Sequence, residues 1–156
     1  MSSFIATGNT SARAAEPIEN NGFWPEIDPA DFRATHRIDG TVTPVRVQDV
    51  LLTAMATTNR ILRHWQAQQI EAGYLTAEAV PAPDWQPPNI YPALYQRAVF
   101  AEAHAQLLER YRDYDATAST RDRGDLNEYT GDSYRRDARY AVSEITGRSH
   151  VTVELI

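Results

Sequence analysis

The stretch TVTPVRVQDVLLTAMATTNRILRHWQAQQIEAGY, residues 41–74, limits the possible folds more than any other part of the chain. Thr43 suits the N-cap of a helix and Pro44 its first position, whereas Gly73 suits the residue just after its end. Mostly apolar residues recur between them at spacings of three and four: Val47, Val50, Leu51, Ala54, Thr58, Ile61, Leu62 and Trp65. The pattern predicts one long amphipathic helix of about thirty residues, which spans roughly 44 Å at about 1.5 Å per residue.

Two other helices have signals at or near their starts. Asp28 can cap a helix and Pro29 can open it, so a short helix is predicted over about Pro29 to Arg37. After the proline-rich loop, a third helix is predicted from about Ile90 to Tyr114, with small residues that permit close helix packing. Its predicted inner face consists of Leu94, Ala98, Ala101, Ala105 and Leu108.

The fourth helix is predicted from a capping signal. Residues 116–124, ATASTRDRG, have neither periodicity nor bulk and predict a mobile loop. Asp125 and Glu128 then have the spacing of a capping box, and Gly147 is a stop signal. The predicted inward residues of this helix are Tyr134, Ala138, Ala141, Val142 and Ile145.

A proline-rich loop separates the second and third helices. Five of the nine prolines lie between Pro81 and Pro92, so this stretch is neither the interior of a helix nor a central strand. Trp85 lies within it and is expected to cover the core as a lid.

The last residues, HVTVELI, have the period of a half-buried strand. Val151, Val153 and Leu155 fall on one side, opposite His150, Thr152 and Glu154. A lone strand leaves its backbone groups unpaired, so it needs a partner edge. That edge can belong to another protein, or to GTVTPV, residues 40–45, in a hairpin within the chain.

Composition narrows the class of protein. The 42% apolar fraction fits one globular domain, no apolar run is long enough for a membrane span, and the first residues lack the pattern of a secretion signal. There is no cysteine, which rules out a disulfide or a thiolate metal site. The net charge of −6 argues against a protein whose main task is to bind nucleic acid.

Motifs for catalysis or for cofactor binding are not found. The sequence contains no GxSxG, Walker, GxGxxG or HExxH pattern. The four histidines, His36, His64, His104 and His150, lack the spacing that lets two imidazoles on one helix bind one metal ion. Asp113 with Asp115, and Asp122 with Asp125, are interpreted as solvated acids because neither pair fits an EF-hand. We therefore expect no enzyme activity, metal or cofactor.

Several phrases appear in an order that resembles a known family. They are FWPEIDP (23–29), TVTP (41–44), AMATTNR (54–60), QQIEAGY (68–74), YQRAVFAEAHAQLLERYRDYDA (95–116) and RRDARYAVSEITGR (135–148). In this order and with similar gaps, they resemble the head completion proteins, of the gpL type, of temperate phages with contractile tails. The resemblance covers about Phe23 to the carboxyl terminus.

The resemblance implies a structural virion protein of the head–tail neck that is assembled in the host cytoplasm. It implies a helical adaptor that forms a ring of about twelve copies below the portal protein. Such a ring stabilises the DNA-filled head and gives the neck or tail completion protein its attachment, while DNA passes through the lumen without specific binding. The alternative is a small helical DNA-binding or regulatory module that uses Arg135, Arg136 and Arg139.

The sequence thus predicts an all-α, four-helix adaptor-like domain over residues 22–147. A flexible arm over residues 1–21 precedes it and a strand tail over residues 148–156 follows it. Under the adaptor hypothesis, the portal-binding residues are Val151, Thr152, Val153, Leu155 and Ile156. Phe23 and Trp24 are either exposed aromatic anchors for a partner or a hydrophobic staple on the core, and the core is favoured.

Overall fold

The computed structural model describes residues 16–115 and 121–148, with side chains over residues 16–110 and 131–148. The predicted helical fold is confirmed over these residues. They form α1 (Pro29–His36), α2 (Pro44–Glu71), α3 (Ile90–Asp115) and α4 (Arg121–Thr146), with a single turn of 3₁₀ helix at Ala77–Ala79.

No multi-residue strand occurs within the described ranges; their β pairing is one antiparallel bridge between Ile18 and Ile27. The predicted strand at His150 to Ile156 lies outside the described residues.

Side-chain caps fix the starts of α1 and α2 as predicted. Asp28 Oδ1 accepts a hydrogen bond from the Ala30 N–H at 2.7 Å, and the Thr43 hydroxyl accepts one from the Arg46 N–H at 3.4 Å. Each cap satisfies one of the amide groups that a helix start leaves without an intrahelical partner. α1 ends where Arg37 adopts a left-handed conformation with φ of 54°.

The inner face of α2 follows the predicted stripe, except that Ile61 is exposed, Trp65 is only half-buried and Met55 joins the buried residues. The buried residues of this helix are Val47, Val50, Leu51, Ala54, Met55, Thr58 and Leu62. Ile61 was predicted on the stripe but is 54% exposed. It lines a shallow groove of about 260 Å³ between α2 and α4. Because α4 packs mainly on α3 and little on α2, this side of α2 stays open.

α3 is the central helix of the fold and packs against α1, α2 and α4. Its fully or nearly fully buried residues are Tyr95, Ala98, Val99, Phe100, Ala101, Ala103, Ala105 and Leu107. The single predicted face missed five buried residues: Tyr95, Val99, Phe100, Ala103 and Leu107. Two of its predicted members, Leu94 and Leu108, are only half-buried. A helix with neighbours on several sides buries more than one stripe, so its sequence lacks strong amphipathic periodicity.

α4 begins earlier than its capping signal predicted. It starts at Arg121, so Asp125 lies inside the helix rather than at its cap, and residues 121–124 belong to α4 rather than to a loop. The contact between α3 and α4 is more extensive than that of any other helix pair in the described part. This tertiary contact favours an extra turn that the local sequence, with Gly124, disfavours.

The segment from Glu16 to Asp28 belongs to the folded domain, although residues 16–21 were predicted to be part of the arm. Ile18 is buried, and its backbone exchanges two hydrogen bonds with Ile27, at 2.7 and 3.0 Å. The Phe23 carbonyl accepts a further hydrogen bond from the Ala77 N–H at 2.9 Å.

A closed set of three hydrogen bonds ties this segment to two helices. The Tyr95 hydroxyl donates to Asn59 Oδ1 at 2.7 Å, Asn59 Nδ2 donates to Asn20 Oδ1 at 2.9 Å, and Asn20 Nδ2 donates to the Tyr95 hydroxyl at 2.9 Å. Burial raises the pKa of Tyr95 to about 12, so its hydroxyl stays protonated and can donate.

The proline-rich loop does not cover the core with Trp85. The Gln86 N–H donates to the Pro83 carbonyl at 2.9 Å, which closes a turn with Trp85 near its tip. The indole is 82% exposed, so the lid prediction is wrong. This turn places Trp85 at its third position, on the surface of the loop.

Replacing Tyr95 by Phe is expected to lower the free energy of unfolding by about 1–3 kcal/mol. The change removes one donor and one acceptor from the set and leaves the half-buried amides of Asn20 and Asn59 each with one partner fewer. Urea unfolding followed by circular dichroism measures the effect. Tyr91→Phe, on the same helix but outside the hydrogen-bonded set, is the control; equal losses in the two variants would contradict the prediction.

Candidate functional site

Phe23 and Trp24, the two candidate anchors, lie inside the protein. Their exposed fractions are 4% and 3%. Trp24 is stacked between Tyr95 and Trp65, with ring centroids 4.6 and 5.6 Å away, and Phe23 meets Trp24 edge to face at 5.0 Å. An anchor for a partner must be exposed before binding, so the anchor interpretation does not describe these two side chains.

An open groove lies where α4 ends. It has a volume of about 540 Å³ and is lined by Trp65, Pro83, Trp85, Gln86, Ile90, Tyr91, Leu94 and residues 143–148. Its walls come from α2, the proline-rich loop, α3 and the end of α4. Such a volume falls within the roughly 300–1,000 Å³ of ordinary ligand sites, so the groove has room for a few side chains.

The carboxyl-terminal residues begin at the edge of this groove. Gly147 adopts a φ of 65°, and its N–H donates to the Glu144 carbonyl at 3.4 Å while the Arg148 N–H donates to the Ser143 carbonyl at 3.0 Å. These two bonds form a Schellman-type cap that ends α4 and turns the chain away from the helix axis. Val151, Thr152, Val153, Leu155 and Ile156 lie outside the described residues.

Two histidines that are far apart in sequence meet between α1 and α3. His36 Nδ1 and His104 Nδ1 are 2.7 Å apart, so one ring donates and the other accepts. Tyr134 of α4 stacks on His104 with a centroid distance of 4.1 Å. Helical spacing along the sequence could not reveal this pair, because its members come from different helices.

Both histidines are held in the neutral form. Burial and the neighbouring His36 lower the pKa of His104 to about 4. Burial also lowers the pKa of His36, although the negative charge of Asp137 opposes this shift.

Several of the described charges on α3 and α4 that could join subunits are paired within the subunit. Arg135 donates to Glu109 at 2.6 Å and lies 3.9 Å from Glu102, and Arg97 lies 3.8 Å from Asp137. The basic face proposed for DNA binding therefore has one of its three arginines already neutralised by acids. This pairing weakens the positive potential of the face, which is unfavourable for phosphate binding.

The outer face of α2 carries exposed apolar residues. Val45 is 76% exposed, Leu52 47% and Ile70 43%. Val45 and Leu52 are seven residues apart, and Leu52 and Ile70 are eighteen apart. At about 3.6 residues per turn these spacings are close to two and five whole turns, so all three side chains lie on one side of the helix. Exposed apolar residues gathered on one side are a feature of protein–protein contact surfaces.

The described residues contain neither a cluster of metal-binding side chains nor a membrane-spanning helix. Within them, no group of three or more His, Asp or Glu side chains is placed to hold a metal ion. Over the same residues, no helix is both long and apolar enough to cross a lipid bilayer. The side chains of Asp113, Asp115, Asp122 and Asp125 lie outside this description.

Comparison with known proteins identifies the family. The profile of the phage head completion proteins (GPL) matches residues 18–156. This chain belongs to the phage head completion protein family. The head completion/stabilization protein of Escherichia phage P2 is 39% identical over 139 residues, which cover 89% of this chain and 82% of that relative. No solved structure matches this chain.

Family membership confirms the resemblance drawn from the sequence phrases. The chain is a structural protein of phage head completion, and this family is not one of enzymes. The match begins at residue 18, which agrees with the packing of Ile18 and the residues after it into the domain of this head completion protein.

The groove and the histidine pair of this head completion protein were both missed by sequence reasoning. A signal for the groove was present, because Trp85 lies among prolines shortly before the predicted start of the third helix at Ile90. It was interpreted as a lid because an apolar side chain is more often buried than exposed. The pair of His36 and His104 had no local signal.

Acidification is expected to destabilise the folded protein through the histidine pair. The pKa of His104 is about 4 in the folded state and 6.5 for an ordinary histidine, so the unfolded state binds more protons between these pH values. The contribution of neutral His104 to the free energy of unfolding is therefore complete above about pH 6.5 and is lost as the pH falls towards 4. Urea unfolding at pH 7, 6 and 5 measures the slope.

His104→Phe keeps a ring against Tyr134 but removes the titrating group, so its stability is expected to vary less with pH than that of the wild type. The control is His64→Gln, which changes an exposed histidine outside the pair. Identical slopes in wild type and His104→Phe would contradict the assignment.

Proposed function

We propose that this protein is a head-to-tail adaptor that forms a ring of about twelve copies below the portal protein. The ring would stabilise the DNA-filled head and provide the attachment for the neck or tail completion protein. Membership in the phage head completion family is the observation that carries this proposal. The protein would be assembled in the host cytoplasm and remain in the virion at the head–tail neck.

The carboxyl-terminal tail is the proposed contact with the portal. Residues 148–156 would extend as a strand along an exposed edge of the portal protein, as in β-strand addition. Val151, Val153 and Leu155 would bury their side chains there, Thr152 and the backbone would complete the pairing, and Ile156 would lie near the end.

The structure of residues 40–45 supports a partner outside the chain. These residues were the alternative hairpin partner for the tail, but the Thr41 N–H already donates to Asp39 Oδ1 at 2.8 Å. The Val42 carbonyl accepts from Arg33 at 2.6 Å, and α2 begins at Pro44. A segment with its backbone groups engaged in this way offers little free edge for a strand.

The strength of this contact would come from repetition. At about 25 cal/mol per Å² of apolar area, three aliphatic side chains contribute several kcal/mol before the cost of ordering the tail. One tail would thus bind weakly. A ring of linked subunits would bind firmly, because each bound tail raises the effective concentration of the next.

The exposed side of α2 is the proposed surface for ring contacts between subunits. Val45, Leu52 and Ile70 form an apolar line on a helix that has no neighbour on that side in the described part. Ring closure needs heterologous contacts, in which this line meets a different face of the next copy. Ion pairs of α3 and α4 are poor candidates for that contact, since Arg97, Arg110 and Arg135 pair within the subunit.

The acidity of the chain fits the passage of DNA through the ring. The net charge is −6 at pH 7. A lumen without excess positive charge attracts few phosphates, so the duplex could slide without being held.

Serine substitution of Val151, Val153 and Leu155 together is expected to weaken binding to DNA-filled heads by at least about tenfold, the equivalent of about 1.4 kcal/mol. Co-sedimentation of purified protein with heads measures it. The matched control places serine at His150 and Glu154, on the opposite side of the strand. Circular dichroism must show intact helices, and equal binding by the two variants would contradict tail docking.

Leu52→Glu is expected to reduce self-association without unfolding the subunit, because it places a charge on the proposed contact line. Analytical ultracentrifugation, alone and with portal rings, measures the assembly state. Leu75→Glu is the control, since Leu75 is 72% exposed but lies after α2. Unchanged assembly of Leu52→Glu on the portal would exclude this side of α2 as the ring contact.

A further inference from the structure

The groove at the end of α4 has an apolar wall that nothing in the described part of the chain covers. Trp85, the most exposed large apolar residue of the described part, forms one side of it at 82% exposure. Trp65, Tyr91 and Leu94 are half-buried and continue the wall towards the core. An exposed indole beside a recess presents apolar surface to water, so an apolar occupant that covers this surface gains free energy there.

The groove has a polar rim on the side of α4. Gln86 Nε2 donates to Glu144 Oε2 at 3.4 Å across the opening, and Arg148 also lines the site. Side-chain amide, carboxylate and guanidinium groups at this rim can bond the backbone of an extended segment. An apolar wall with a polar rim suits a strand that has one apolar side.

The chain itself supplies such a segment at this position. The Schellman-type cap at Gly147 turns the backbone out of α4, and Arg148, the next residue, already lines the groove. Residues 149–156 continue directly from there and carry Val151, Val153 and Leu155 in alternation. Eight extended residues span roughly 26 Å at about 3.3 Å each, enough to cross a recess of this size and place two or three side chains in it.

We propose that, in the free subunit, residues 149–156 of the same chain occupy the groove formed by Trp65, Trp85, Tyr91 and the end of α4. The tail would leave the groove when it docks on the portal; that second step, unlike the first, rests on the proposed function. The tail of the same chain is favoured over that of another copy because its connection at Arg148 gives it a high effective concentration.

Storage of the tail would control when the adaptor binds. The apolar side of the strand would be covered until a better partner edge is present, which limits aggregation of free subunits. If about 99% of free subunits held the tail in the groove, the apparent affinity of the tail for its partner would fall about 100-fold. The repeated contacts of a ring can overcome such a reduction where a single subunit cannot.

The experiment uses the full chain and a variant that lacks residues 150–156. A synthetic peptide of residues 149–156, SHVTVELI, is titrated into each protein while tryptophan fluorescence is recorded. The shortened protein is expected to bind the peptide with a saturable fluorescence change. In the full chain the groove is already filled by the tail. The peptide concentration that gives half of the maximal fluorescence change is therefore expected to be at least about tenfold higher.

Two variants assign the signal to the groove. Trp85→Ala in the shortened protein is expected to abolish most of the change, whereas Leu75→Ala, an exposed residue outside the groove, is expected to preserve it. A peptide with serine at Val151, Val153 and Leu155 is expected not to bind. If the shortened protein is poorly folded, the same three substitutions in the full chain are tested instead and should shift the emission of Trp85 to longer wavelength.

Three outcomes would overturn the inference. The first is equal peptide binding by the full and shortened chains, which would show an open groove in the free subunit. The second is a groove filled only at concentrations where ultracentrifugation shows dimers, which would mean that tails are exchanged between copies. The third is binding of a peptide of residues 1–15 in place of the tail peptide. None of these titrations contains heads or portal, so a failure of the proposed function would be seen separately, in the head-binding assay.

Discussion

The hydrogen bonds among Asn20, Asn59 and Tyr95 hold together three parts of the chain that are far apart in sequence. They join the amino-terminal segment to the middle of α2 and the start of α3 at a point where all three surround the stacked ring of Trp24. A buried tyrosine hydroxyl and two half-buried amides are costly unless each finds a partner, and here they satisfy one another. The register between α2 and α3 is therefore fixed by polar groups as well as by apolar packing.

The register between α2 and α3 determines which surfaces of the fold remain exposed. α3 lies in the centre, so α4 can pack along it and leave the outer side of α2 without a neighbour in the described part of the chain. The same arrangement brings the proline-rich loop beside the end of α4 and opens the groove between Trp65 and Trp85. A protein that completes a phage head needs surfaces for other proteins. The exposed side of α2 and the groove are the places where this fold leaves apolar area open.

Sequence reasoning succeeded where a local signal and the tertiary structure agreed. Asp28 and Thr43 cap helices as predicted, and the stripe from Val47 to Leu62 is buried apart from Ile61. It failed where packing overrode the local signal. α4 starts before its capping box at Asp125 because it packs along α3, and Trp85 is exposed on a surface turn that the Pro83–Gln86 hydrogen bond closes. The histidine pair had no signal, since 68 residues separate its members.

The sequence by itself determined the helices, the family and the alternating pattern of the tail. Caps, helical periodicity and ordered phrases depend on residues that are near one another in the chain, so they can be read directly. Only the tertiary structure decided that Phe23 and Trp24 are core residues, that His36 meets His104, and that the chain leaves α4 beside an open groove. Each of these depends on which helices pack together and at what register, and that choice is made by many weak contacts between residues far apart in sequence.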